Sequence, residues 1–159
     1  MDNYWPIIFI IGAIALAVGP VMMMQPSQRI RRLSALRQAA AQLSIRVRLS
    51  TITLPLGKKE VAVYSISLPT SDAVRPSWIL IKQDYTHGAN FHNDWDWENQ
   101  KQIASSFQYG ILRDILDLLD DSIVGLEMTQ NAVGVYWQEK SLTIDKINQL
   151  LMNYRDKLA

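Results

Sequence analysis

Residues Trp5 to Met24, WPIIFIIGAIALAVGPVMMM, form an apolar run of 20 residues without a charge. A helix rises ~1.5 Å per residue, so a run of this length matches the ~30 Å hydrocarbon core of a bilayer. Residues 1–24 are therefore predicted to be a transmembrane anchor. After Pro26 the pattern changes: Ile30, Leu33, Leu36, Ala40 and Leu43 recur at helical spacing, while Arg29, Arg31, Arg32 and Gln38 face elsewhere. This predicts a basic juxtamembrane helix over 25–43, capped by Ser27, with its apolar stripe packed on a domain core rather than lying in the lipid interface.

Period-two alternation follows. Ile45, Val47 and Leu49 interleave with Arg46 and Arg48, then Ile52 and Leu54 with Thr51 and Thr53. Pro55-Leu56-Gly57-Lys58-Lys59 breaks the pattern as a turn, Val61 to Leu68 reads as a second strand and Trp78 to Lys82 as a third. These three strands predict an antiparallel meander. Asp84 to Glu98 has no period and reads as a long loop. Phe107 to Asp120 is helical, with Ile111, Leu112, Ile115, Leu118 and Leu119 on one side. Ile123 to Thr129 and Val133 to Glu139 flank Gln130-Asn131-Ala132 as a hairpin, and Thr143 caps a last helix faced by Ile144, Ile147, Leu150, Leu151, Tyr154 and Leu158. The expected fold is α+β: one N-terminal transmembrane helix, then a domain over 44–159 with five antiparallel strands and two or three amphipathic helices.

Charge adds an orientation. From Gln25 to Lys59 there are six arginines, two lysines and no acid, whereas Asp2 is the only charge before the run. Basic flanks stay on the cytoplasmic side, which places the N-terminus outside and the domain inside a bacterial inner membrane, with Tyr4 and Trp5 in the outer aromatic belt. The rival, a cleaved signal peptide ending near Ala15-Leu16-Ala17, lacks a positive n-region and is followed by more apolar sequence. The formal net charge of +1 hides an asymmetry: residues 60–159 carry eight basic and fourteen acidic side chains. Arg29, Arg31 and Arg32 suit anionic lipid headgroups, and the acidic body argues against nucleic acid as a partner. The absence of cysteine excludes disulfides, thiolate nucleophiles and cysteine metal sites.

Candidate chemistry concentrates in the loop DYTHGANFHNDWDWE, which holds both histidines of the chain. Imidazole and carboxylate at His87, His92 and Asp94 suit a divalent metal, but the spacing is that of no ligand motif, and no metal or other cofactor is expected. Tyr85, Phe91, Trp95 and Trp97 with Asp94 and Asp96 read instead as a docking surface: aromatic anchors inside an acidic rim that selects a basic partner. Within the anchor, Gly12, Ala15 and Gly19 share one face and would let a second helix approach closely. No nucleophile elbow, phosphate loop or dinucleotide fingerprint is present, so catalysis is not expected.

The passage VMMMQPSQRIRRLSALRQ looks like the inner end of the YajC family, accessory subunits of the bacterial Sec translocon. The resemblance covers residues 5–40 and implies an N-out single span, a proline-containing exit and a basic helix leading to a small cytoplasmic β-rich domain. Beyond residue 44 the chain departs: that family's glycine-rich turn between strands is missing and two amphipathic helices are added. The body is similar to uncharacterised proteobacterial single-pass membrane proteins, and no site residue transfers from either likeness. The expected role is a non-catalytic accessory or scaffolding subunit that contacts the lipid bilayer and an integral membrane protein. The alternative is a membrane-tethered, metal- or ligand-responsive sensor that uses the His87/His92 loop.

Overall fold

The computed structural model describes residues 4–23, 27–54, 57–71, 74–84 and 88–158, with the side chains of all of these except 17, 19–23 and 54. Packing divides the chain into two units, Met1–Ala35 and Leu36–Ala159.

The first unit contains helix α1, Trp5–Met23, and the start of α2, Gln28–Gln42. Ser27 caps α2, its Oγ accepting from the Ile30 amide at 3.3 Å. Among the described residues no helix is long and apolar enough to cross a membrane. The unbroken part of α1 with described side chains, Trp5 to Leu16, is twelve residues, or ~18 Å by helical rise.

The second unit is α+β, as the sequence predicts. It holds one six-stranded, wholly antiparallel sheet built from β1 (Arg46–Leu54), β2 (Gly57–Ser67), β3 (Trp78–Lys82), β4 (Trp95–Trp97), β5 (Ile123–Met128) and β6 (Ala132–Trp137). The strand order is β1-β2-β6-β5-β3-β4. The predicted meander is thus corrected. β1 and β2 do form a hairpin, but β2 pairs next with β6, and β3 lies between β5 and β4. Alternation identifies strands one at a time and carries no information about which distant strand completes the ladder. The fifth-strand limit is corrected too, because Trp95–Trp97 pairs with β3 inside the stretch predicted as loop.

The first predicted turn shortens and the second shifts by one residue. Gly57, at φ +118°, already belongs to β2 and turns the chain where a side chain would be strained. Between β5 and β6 lie Thr129, Gln130 and Asn131, one residue earlier than the predicted Gln130-Asn131-Ala132, and the Thr129 amide donates to the Ala132 carbonyl at 2.8 Å.

One face of the sheet carries the main core. Ala62, Tyr64, Trp78, Leu80, Leu126, Val135 and Trp137 pack there with Ala40 of α2, with Leu112, Ile115 and Leu116 of α3 (Gln108–Leu116), and with Ile147, Leu151, Tyr154 and Leu158 of α4 (Ile144–Leu158). The stripe of α2 therefore packs on the core from Leu36 onward, while Ile30 is exposed. Helix α3 ends earlier than its periodicity predicts, and Leu118, expected on its apolar side, is exposed. The other face holds a smaller cluster drawn from strands alone: Ile52, Val61, Val63, Ile81, Val124 and Tyr136.

Three buried polar atoms in the described core lack a partner: Trp78 Nε1, Asn148 Oδ1 and Tyr154 Oη. An unsatisfied buried hydroxyl costs free energy that a phenylalanine avoids. Tyr154→Phe is therefore expected to leave stability unchanged or raise it by up to about 1 kcal/mol in urea unfolding, keeping the edge contact with Trp78. A loss instead of a gain would show that the hydroxyl has a partner in solution.

Candidate functional site

The described aromatics of the predicted docking loop, Phe91, Trp95 and Trp97, are spent on the fold. Trp95 and Trp97, on β4, are 4% and 8% exposed and face the main core. Trp97 packs against Trp78 at 5.6 Å between ring centroids and against Phe91 at 4.8 Å, and Phe91 meets Tyr109 at 5.1 Å. Neither tryptophan presents its ring to a partner. The sequence carried the reason: in Trp-Asp-Trp the two rings stand two apart, so in a strand they share one face and Asp96 takes the other.

The acids of this stretch also have local uses. Asp96 accepts from the Trp97 amide at 2.8 Å and from the Gln100 amide group at 3.3 Å. Asp94 lies 3.6 Å from Lys82 Nζ, and Lys82 also binds Asp121 at 2.7 Å. His92 Nε2 is 2.7 Å from Asp117 Oδ1, with Asn93 donating to the same oxygen at 3.2 Å. Tyr85 and His87 lie outside the described residues. Among the described residues no three His, Asp or Glu side chains are grouped to hold a metal. His92 and Asp94 instead meet different partners, Asp117 and Lys82.

In the first unit, Gly12 and Ala15 lie exposed on α1, and a Cβ at Gly12 would meet nothing within 4 Å. Gly19 lies in the same helix, with its surroundings outside the description. Arg29, Arg31 and Arg32 are exposed on α2.

Sequence reasoning missed two polar triads, each an arginine, a glutamate and a tyrosine. On the face without helices, Arg48 donates from its guanidinium to Glu127 Oε2 at 2.6 Å, and the Tyr136 hydroxyl donates to the same oxygen at 2.8 Å. The Glu127 side chain is 5% exposed and that of Arg48 51%. Two glycines make room for it. A Cβ at Gly134 would stand 2.9 Å from Glu127 Oε1, and one at Gly125 would stand 2.9 Å from the Tyr136 ring. The signal was present in IVGLEM, where an acid interrupts an otherwise apolar strand that reads as buried on both faces.

On the helix side, Glu139 takes a two-point bond from Arg37, Nε at 2.8 Å and a terminal nitrogen at 2.9 Å, and a third bond from the Tyr64 hydroxyl at 2.8 Å. This triad clamps the second half of α2 to β2 and to the segment after β6.

Burial, reinforced by the neighbouring carboxylate, pushes the Tyr64 and Tyr136 hydroxyls well above the ordinary 10.0. Burial disfavours the charge on Arg48, yet Glu127 and Tyr136 together more than offset it and hold the guanidinium above its ordinary value. A phenol raised in the folded state contributes stability that is complete below its unfolded value and is lost as pH rises through the folded one. The chain should therefore lose stability above about pH 10, with Tyr64 and Tyr136 ionising only as the fold opens. Phenolate absorbance rising in step with loss of circular dichroism would show this; phenolate from these two tyrosines in the folded chain would contradict it.

Both triads neutralise a carboxylate instead of presenting an acid and a base to a common point, so the geometry is that of a clamp. An open groove of ≈ 1380 Å³ runs beside the first triad, bordered by Ser44, Arg46, Arg48, Ser65, Glu127 and Asn131. A second cleft of ≈ 480 Å³ lies between the β1–β2 turn and the end of β3, lined by Lys58, Lys59, Lys82, Asp84 and Asp121. Comparison with protein-family models, with curated proteins and with solved structures finds no match to the chain.

Proposed function

We propose that this chain is a single-pass protein of a bacterial inner membrane, with its N-terminus outside and its α+β domain in the cytoplasm. It acts there as a non-catalytic accessory or scaffolding subunit of a membrane protein complex. One observation carries the reading: the described side chains of α1 are exposed all the way round the helix. Ile7, Ile8, Phe9, Ile10 and Ile11 follow one another at 100° steps, and each is more than half exposed. A helix that serves a protein core buries one stripe, whereas a helix apolar in every direction requires hydrocarbon or protein on all sides. The spanning length itself is a property of the sequence, Trp5 to Met24.

The exposed arginine cluster supports the orientation, since Arg29, Arg31 and Arg32 would lie at the inner headgroups. The resemblance of residues 5–40 to the YajC family fits the same placement. The open surface at Gly12 and Ala15, on the helix that also holds Gly19, is the face proposed for an integral membrane partner. Purification of the full chain in mild detergent tests the reading. A stoichiometric membrane protein should accompany it and be lost when Ala15 and Gly19 are both replaced by leucine. A lone chain, or a partner indifferent to that pair of changes, would sink the accessory-subunit assignment.

A further inference from the structure

The six-stranded sheet ends on one side in β4, only three residues long, and on the other in β1, which has nine. Among the described residues no strand pairs with the outer side of β1. An edge of this length presents a row of backbone donors and acceptors that can template another strand. Its side chains restrict what can add.

On the face without helices, β1 carries Arg46, Arg48, Ser50 and, at its far end, the buried Ile52; on the helix side it carries Val47, Leu49, Thr51 and Thr53. Arg46 is exposed and forms no ion pair among the described residues, and Leu49 is 53% exposed. β1 itself, RVRLSTITL, contains no acid, and Lys58 and Lys59 stand opposite Thr53 and Ile52. The groove of ≈ 1380 Å³ adjoins the Arg46–Arg48 end of the same strand and reaches inward to Ser65 and Glu127.

We infer that β1 is a docking edge for an extended acidic segment of a partner protein, one that alternates acidic with apolar residues. Added as a seventh strand, its acids would lie on the arginine side and its apolar residues beside Leu49, since side chains alternate across a strand. A second copy of this chain fits poorly, because two β1 edges would bring their arginines together and neither strand supplies an acid. Glu127 has a defined part in this arrangement: it fixes the Arg48 guanidinium, so that its exposed half is already oriented before a partner arrives.

The inference deepens the accessory-subunit reading by naming the surface and the chemistry of its partner. Its test is independent of membrane topology, so the two can fail separately. The full chain in detergent micelles is titrated with a labelled peptide of alternating glutamate and valine, and with its alternating lysine and valine counterpart. The glutamate peptide should bind, the lysine peptide should not, and amide exchange along β1 should slow about tenfold on binding. Arg46→Glu should weaken the glutamate peptide about tenfold and admit the lysine one. Equal affinity for both peptides, bound glutamate peptide with unchanged exchange along β1, or self-association of the chain through β1 in place of peptide binding would each overturn the inference.

Discussion

Arginine at Ile14 and arginine at Leu16 are expected to be equally damaging, each releasing the chain from the membrane. The two positions lie two residues apart, ~200° around the helix, and both are well exposed on α1. A helix lying in the interface would tolerate one of them on its polar side and reject the other. A spanning helix has no polar side, and near its centre each arginine costs about 2.5–3.5 kcal/mol on insertion scales. Carbonate extraction and flotation of the two single variants measure this directly. Loss of the membrane-bound fraction in both, with Ile14→Leu unchanged, is the expected result. A strong effect at one position and none at the other would turn α1 into a surface helix.

The second large effect is expected in the triad on the open face of the sheet. Arg48→Met keeps an apolar stem of similar length but leaves the Glu127 carboxylate buried, with only the Tyr136 hydroxyl as partner. Breaking a buried pair in this way costs about 3–5 kcal/mol. Because the guanidinium is half exposed and its charge partly screened, about 2–4 kcal/mol is the expected loss here. Glu127→Gln should cost less, about 1 kcal/mol, since the freed arginine can turn to water and the amide can still accept from Tyr136. The double variant should then be more stable than Arg48→Met alone, because the uncompensated buried charge has gone. Urea midpoints of the three variants give the cycle. Additive losses would show that Arg48 and Glu127 are not coupled in solution.

What the sequence made legible follows from the range of the interactions. Element existence and caps are local, so Ser27 and Thr143 were readable as helix starts, and the alternation at Val47, Val61–Leu68 and Val133–Trp137 as strands. Strand pairing is non-local. Nothing in β2 states that its second neighbour is β6, more than sixty residues on, rather than β3. The aromatic loop shows the same limit at a site. Tryptophans among acids match both an exposed anchor and a buried strand, and only the pairing of Trp97 with Leu80 places them inside. The triads were hidden for a related reason, since Arg48 and Glu127 are 79 residues apart and Arg37 and Glu139 are 102. Only the isolated acid in IVGLEM signalled that a charge had to be met there.

The native chain contains no cysteine, which makes membrane topology measurable with single introduced thiols. The most direct test of the anchored, N-out arrangement is labelling of Asn3→Cys and Lys101→Cys by a membrane-impermeant maleimide in intact spheroplasts and after lysis. The account predicts that Asn3→Cys reacts in intact spheroplasts and that Lys101→Cys reacts only after lysis. Labelling of Lys101→Cys in intact spheroplasts, or protection of both thiols until lysis, would contradict it.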